Sequence, residues 1–95
     1  MPIEGIFDSV PGVFRSALVG VGPVGFQLPV VCVEKEKGMV SDQELLRNLA
    51  SRALLYPETK DINKFLIHPS FPVDIRHNSK IKREELTVWA AGRLS

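Results

Sequence analysis

Hydrophobic and polar positions alternate along this chain in two distinct rhythms. Near the N-terminus Ile3, Ile6, Phe7 and Val10 recur at helical spacing behind Pro2, which suits a first helical turn, and Pro11-Gly12 closes the segment. A short amphipathic helix is expected there. From Val13 to Val19 the period shortens to two, with Val13, Arg15, Ala17 and Val19 on one side and Phe14, Ser16 and Leu18 on the other. Because polarity alternates only weakly, this strand should be covered on both faces. The glycine-rich stretch Gly20 to Gln27 reads as a loop, and Leu28 to Lys35, rich in β-branched residues, reads as a second strand ending at Glu36-Lys37-Gly38. An antiparallel pair is the simplest arrangement of the two.

The helical rhythm then returns with a defined start. Ser41-Asp42-Gln43-Glu44 is a capping box, in which the Ser41 hydroxyl accepts from the Glu44 amide and Glu44 reaches back to the Ser41 amide. Leu45, Leu46, Leu49, Ala53 and Leu54 form the expected buried stripe, Arg47, Asn48 and Arg52 the wet face, and Tyr56-Pro57 the end. Lys64 to His68 reads as a third short strand, Pro69 to Ser79 as a loop, and Lys82 to Leu94 as a final helix burying Leu86, Trp89, Ala90 and Leu94. The fold class is therefore α+β: a small two-layer sandwich of about three strands and three helices in a single domain.

Composition narrows the function classes. A chain of 95 residues with 44% hydrophobic residues and a formal net charge of +1 is an ordinary globular domain, with no electrostatic case for nucleic acid. The longest apolar run, Leu28 to Val33, contains a proline and is too short for a membrane span, and Met1 onward lacks the regions of a signal peptide, so a cytoplasmic location is expected. Cys32 is the sole cysteine and lies among valines, the setting of a small buried hydrophobe. With only His68 and His77 beside it, no metal-ligand set emerges. Gly20-Val21-Gly22-Pro23-Val24-Gly25 fits a dinucleotide-binding pattern, but that fingerprint needs a helix directly after it, and here a strand follows.

The segment richest in chemistry lies near the C-terminus. Asp74-Ile75-Arg76-His77-Asn78-Ser79-Lys80-Ile81 runs into Lys82-Arg83-Glu84-Glu85-Leu86, so a polar loop delivers one cation just before an amphipathic helix. This stretch resembles the last motif of the AMP-forming acyl ligases, Pro-x-x-x-x-Gly-Lys-hydrophobic-x-Arg-x-x-Leu, with Ser79 where glycine is usual and Asp74 where proline is usual. The run from Asp74 to Ile81, with Trp89-Ala90 downstream, is most similar to the fatty-acyl ligase branch that closes β-hydroxy acids to β-lactones in bacterial olefin biosynthesis. Weaker similarities follow in the family's order. Ile3 to Gly12 resembles its first lid helix, Ser16 to Gly22 its first lid strand, and Gly25-Phe26-Gln27-Leu28-Pro29 its usual turn.

The resemblance implies that the whole chain is the family's C-terminal lid domain, with Lys80 reaching the acyl carboxylate and the α-phosphate of ATP, and Arg76 and His77 as auxiliary contacts to substrate or phosphate. It implies ATP and Mg²⁺ held mainly by an N-terminal adenylation domain that this stretch does not include, a fatty-acid or β-hydroxy fatty-acid substrate, and in thioester-forming members CoA. A fragment of this kind is expected to be inactive alone. The competing expectation is a non-catalytic protein-interaction module on the same fold, binding through Phe26, Leu28 or the glycine loop.

Overall fold

The computed structural model describes residues 3–23, 25–36, 38, 40–74 and 80–94, excluding the side chains of Glu4, Val73, Asp74 and Lys80. In chain order the elements are α1 (Ile3–Asp8), β1 (Val13–Val21), β2 (Leu28–Lys35), α2 (Asp42–Ala53), β3 (Phe65–His68), β4 (Val73–Asp74), β5 (Lys80–Ile81) and α3 (Arg83–Leu94). The main sheet has the order β1-β2-β3; β1 and β2 are antiparallel, and β2 and β3 are parallel. The parallel pair follows from the connection, since a crossover through α2 brings the chain back to run in the same direction.

Successive side chains of the central strand point to opposite faces, and both faces are apolar. Val31 and Val33 join Phe7, Val10, Leu45, Leu49, Ala53 and Ile62 under α1 and α2. Val30 and Cys32 join Ala17, Val19, Phe71, Leu86 and Ala90 under α3. The sheet is therefore the middle of three layers, rather than one side of two, within the expected α+β class of three helices and a three-stranded sheet.

One irregularity governs β1. Register slips between Val13, opposite Lys35, and Arg15, opposite Glu34, so one extra residue is accommodated there. The slip turns Val13 into the α1/α2 core while Ala17 and Val19 enter the α3 core, and it leaves Phe14 half exposed. Val13 and Ala17 thus do not share a face, as uninterrupted alternation predicted. Just before it, Gly12 adopts φ +95°, and a Cβ there would lie 2.7 Å from Val40 Cγ2.

Helix α2 begins as its capping box predicts, the Ser41 Oγ accepting from the Glu44 N–H at 3.1 Å. It ends earlier than expected. Thr59, wholly buried, donates its hydroxyl to the Ala53 carbonyl at 2.7 Å and so satisfies a terminal acceptor. Leu45, Leu49 and Ala53 are buried, but Leu46 is 37% and Leu54 72% exposed, because the stripe facing the sheet is narrower than the five residues suggested. Arg52 corrects the wet face: its Nη1 donates to the Ile6 carbonyl and the Ser9 hydroxyl, tying α2 to the end of α1. Among the described residues, no helix is long and apolar enough to cross a membrane.

Candidate functional site

The segment expected to be one loop, Pro69 to Ser79, contains one short strand, and a second begins just after it at Lys80. Val73 pairs with Ile81 and Asp74 with Lys80 in an antiparallel ladder, so the backbone of Lys80 is fixed opposite Asp74. Sequence patterning does not reveal strands two residues long. Arg76 and His77 lie outside the described residues.

From β5 the chain passes directly into α3. The Lys82 N–H donates to the Pro72 carbonyl at 2.8 Å, closing the base of the β4-β5 ladder, and the Leu86 N–H donates to the Lys82 carbonyl at 3.2 Å. Arg83 Nη1 donates to the Leu18 carbonyl at 3.1 Å, joining the first turn of the helix to β1. Arg83 therefore has a structural bond in addition to the helix-surface position assigned from sequence. An open groove of about 420 Å³ lies along Ile81, Lys82, Arg83, Glu84 and Glu85, immediately after Lys80 in the chain. Glu84 and Glu85 stand in the first turn, where carboxylates complement the helix dipole.

A second group of residues, on which sequence reasoning placed no role, surrounds the approach to β4. Glu34 Oε1 forms an ion pair with Arg15 Nε at 3.1 Å and accepts the Phe71 N–H at 3.1 Å. His68 Nδ1 accepts the Ser70 N–H at 3.0 Å, and its ring lies 4.4 Å from that of Trp89 and 5.7 Å from that of Phe71. Burial among these rings lowers the His68 pKa; the Glu34 carboxylate opposes that shift and Arg93 reinforces it. Arg93 also sits over the Trp89 ring, 5.3 Å from its centre. The signal available beforehand was the parity of Glu34 and His68 with residues of the α3 core, but the pairing of β2 with β3 had to be known to use it.

The remaining sequence candidates fall into place. Cys32 is fully buried, and desolvation raises its thiol pKa to about 11, the state of an inert core residue. Of the glycine pattern, Gly20 and Val21 close β1, paired with Pro29 and Leu28, while Gly22 at φ +116° and Gly25 at φ +89° lie between β1 and β2, and a strand follows. Phe26 is 85% exposed beside it.

Comparison with known proteins adds to this geometry. No family model matches the chain. It is 48% identical over 92 residues to an olefin β-lactone synthetase of Stenotrophomonas maltophilia and 50% identical over 91 residues to one of Xanthomonas campestris pv. campestris. Those alignments take in 97% and 94% of this chain but only 17% and 16% of the relatives, so the chain spans about a sixth of their length. Among solved structures, an acyl-CoA synthetase of Brucella canis superposes with a TM-score of 0.74 at 19% identity, over 97% of this chain and 17% of that one. ATP-bound MatB from Rhodopseudomonas palustris superposes with a TM-score of 0.69 at 23% identity, over 94% of this chain and 17% of that one. At these identities the superpositions speak for the fold. Along nearly its whole length, then, this chain matches members of the acyl-CoA synthetase/ligase family, two olefin β-lactone synthetases among them.

Proposed function

We propose that the chain is the C-terminal lid domain of an AMP-forming fatty-acyl ligase of the β-lactone type, and that Lys80 is its catalytic contribution. The observation that carries this reading is the identity of about one half to two olefin β-lactone synthetases across almost the entire chain. The motif around Lys80, continuous with α3, is the part of that similarity that bears chemistry.

In the adenylation step a carboxylate oxygen of the substrate attacks the α-phosphorus of ATP, the bond to the β-phosphate oxygen breaks, and pyrophosphate leaves. Two anions must approach one another. An ammonium held between them offsets the repulsion and stabilises charge on the phosphoryl oxygens as the phosphorus becomes five-coordinate. Antiparallel pairing of the Lys80 backbone with that of Asp74 suits that task, since it gives the residue a fixed point of departure.

Among the described residues no group of three His, Cys, Asp or Glu could take a metal ion, while Lys80, Lys82 and Arg83 make the chain around β5 cationic. Those cations suit a phosphate, and the resemblance to the AMP-forming ligases assigns Mg²⁺ and most of the nucleotide to the rest of the enzyme. Bound Mg²⁺ would share the neutralisation of phosphate charge. Arg76 and His77 are assigned auxiliary contacts to phosphate or substrate through their adjacency to Lys80. The β-hydroxyl of the same substrate then attacks the acyl carbon of the adenylate and gives up its proton, the acyl–phosphate bond breaks and AMP leaves, giving a β-lactone; in a thioester-forming ligase the CoA thiol attacks instead and AMP leaves in the same way.

Lys80→Ala in the full-length enzyme should raise the adenylation barrier by about 3 kcal/mol or more, roughly two orders of magnitude in rate. Pyrophosphate exchange reads this step, and consumption of a pre-formed adenylate is measured separately. Normal exchange in the variant refutes the role of Lys80. Product analysis with a β-hydroxy fatty acid, with and without CoA, decides between lactone and thioester.

A further inference from the structure

Arg15, Glu34 and His68 form a row across all three strands of the main sheet. Arg15 is opposite Glu34 in the β1-β2 ladder, and Glu34 is opposite His68 in the β2-β3 ladder. Glu34 shares its face with Cys32, whose neighbours lie under α3, and the slip in β1 brings Arg15 to that same face with Ala17. The row is bonded as well as aligned: Arg15 holds Glu34, Glu34 accepts the Phe71 N–H, and His68 accepts the Ser70 N–H while stacking on Trp89.

Everything this row grips leads to one place. Phe71 is followed by Pro72, whose carbonyl accepts the Lys82 N–H, and then by β4, which pairs with β5 at Asp74 and Lys80. Two hydrogen bonds, at Phe71 and Pro72, therefore connect the Glu34 carboxylate to the backbone of Lys82, two residues after Lys80. The Glu34 side chain is only 15% exposed. Ion pairs withdrawn from water are inefficient stabilisers, because desolvation cancels much of their attraction, but they fix direction. A carboxylate with one oxygen shared between a guanidinium and a backbone amide sets the position of that amide closely.

We propose that the Arg15-Glu34-His68 row is a positioning device that anchors residues 70–71 and through them sets where the β4-β5 ladder presents Lys80. The inference rests on the reading of Lys80 given above. None of the three residues need touch substrate.

The test uses the full-length enzyme. Glu34→Ala should lower kcat for pyrophosphate exchange by about tenfold or more, since a full ångström of displacement at a reacting group costs about a hundredfold and the row acts on the ladder only through residues 70–72. It should leave KM for ATP within about twofold, because little ground-state binding passes through the row. Glu34→Gln, which retains an acceptor for the Phe71 N–H, should recover most of the loss. Hydrogen exchange measured by mass spectrometry should quicken in peptides covering residues 69–74 in the alanine variant and return towards wild type in the glutamine variant. If Glu34→Ala does not fold, His68→Phe carries the test: it keeps an aromatic ring against Trp89, frees the Ser70 N–H, and should show the same exchange and rate changes in smaller measure. Wild-type exchange and wild-type kcat in these variants overturn the inference, as does equal impairment of Glu34→Ala and Glu34→Gln. Lys80→Ala assayed in parallel separates the two readings: slow adenylation there with unaffected row variants refutes only the positioning role, whereas normal adenylation there refutes the role of Lys80 itself.

Discussion

The imidazole of His68 lies 4.4 Å from the indole of Trp89, at a tilt of 59°, and accepts the Ser70 N–H at Nδ1. A single ring thereby joins the end of β3 to the middle of α3. Protonation at Nδ1 would remove that acceptor and place a charge among aromatic rings.

Acid should therefore loosen this contact. Burial lowers the folded-state pKa of His68 below its ordinary 6.5, with Glu34 opposing the shift and Arg93 adding to it. An unfolded chain takes up this proton first as pH falls, so the contribution is complete above about pH 6.5 and is lost progressively below it. Thermal unfolding of the wild type between pH 7.5 and 5 should show a declining midpoint, and His68→Phe should flatten the decline. An equal decline in the two proteins would contradict this assignment.

The thiol of Cys32 behaves in the opposite sense. Its folded-state pKa is raised by burial from 9.0 to about 11, so stability is complete below pH 9 and falls as pH rises towards 11. Disulfide-exchange reagents at pH 8 should label Cys32 no faster than the chain unfolds. Rapid labelling of folded protein would show that the site is open.

In α2 and at its C-cap, two leucines of the same predicted stripe should differ sharply. Leu49 is fully buried and Leu54 is 72% exposed. Leu49→Ala should cost about 2 to 5 kcal/mol in denaturant unfolding, whereas Leu54→Ala should stay within about 0.5 kcal/mol of wild type. Comparable losses would return Leu54 to the core.

Thr59 provides a test of the helix end. Its hydroxyl donates to the Ala53 carbonyl at 2.7 Å in a wholly buried position. Thr59→Val keeps the shape, leaves that carbonyl without its donor, and should cost about 1 to 3 kcal/mol. Thr59→Ser should retain more of the stability. If valine proves neutral, the bond does not hold the helix end.

Gly12→Ala should also destabilise the fold, by about 1 to 3 kcal/mol, because φ +95° is strained for a residue with a Cβ and Val40 would have to retreat from a 2.7 Å contact. Equilibrium unfolding reads the cost directly. An unchanged midpoint would mean that the turn before β1 relaxes freely.

What the sequence by itself determined here is local: hydrophobic rhythm, a capping box and turn chemistry. These properties belong to neighbouring residues, so Leu28–Lys35 reads correctly to its ends, Ser41 is recognised as a cap, and Cys32 is recognised as core. The Lys80 motif is equally visible because its residues are contiguous. What only the tertiary structure decided depends on register and on contacts between distant segments. The slip that turns Val13 away from Ala17, the bonds from Arg52 to the end of α1, the parallel pairing of β2 with β3, and the β4-β5 ladder have no local signature. Glu34 shows the reason most plainly: as a sequence position it is a charged residue at the end of an apolar strand, and its partners Arg15 and Phe71 lie 19 residues before it and 37 after it. Cross-strand geometry creates that convergence, and no periodicity along one segment encodes it.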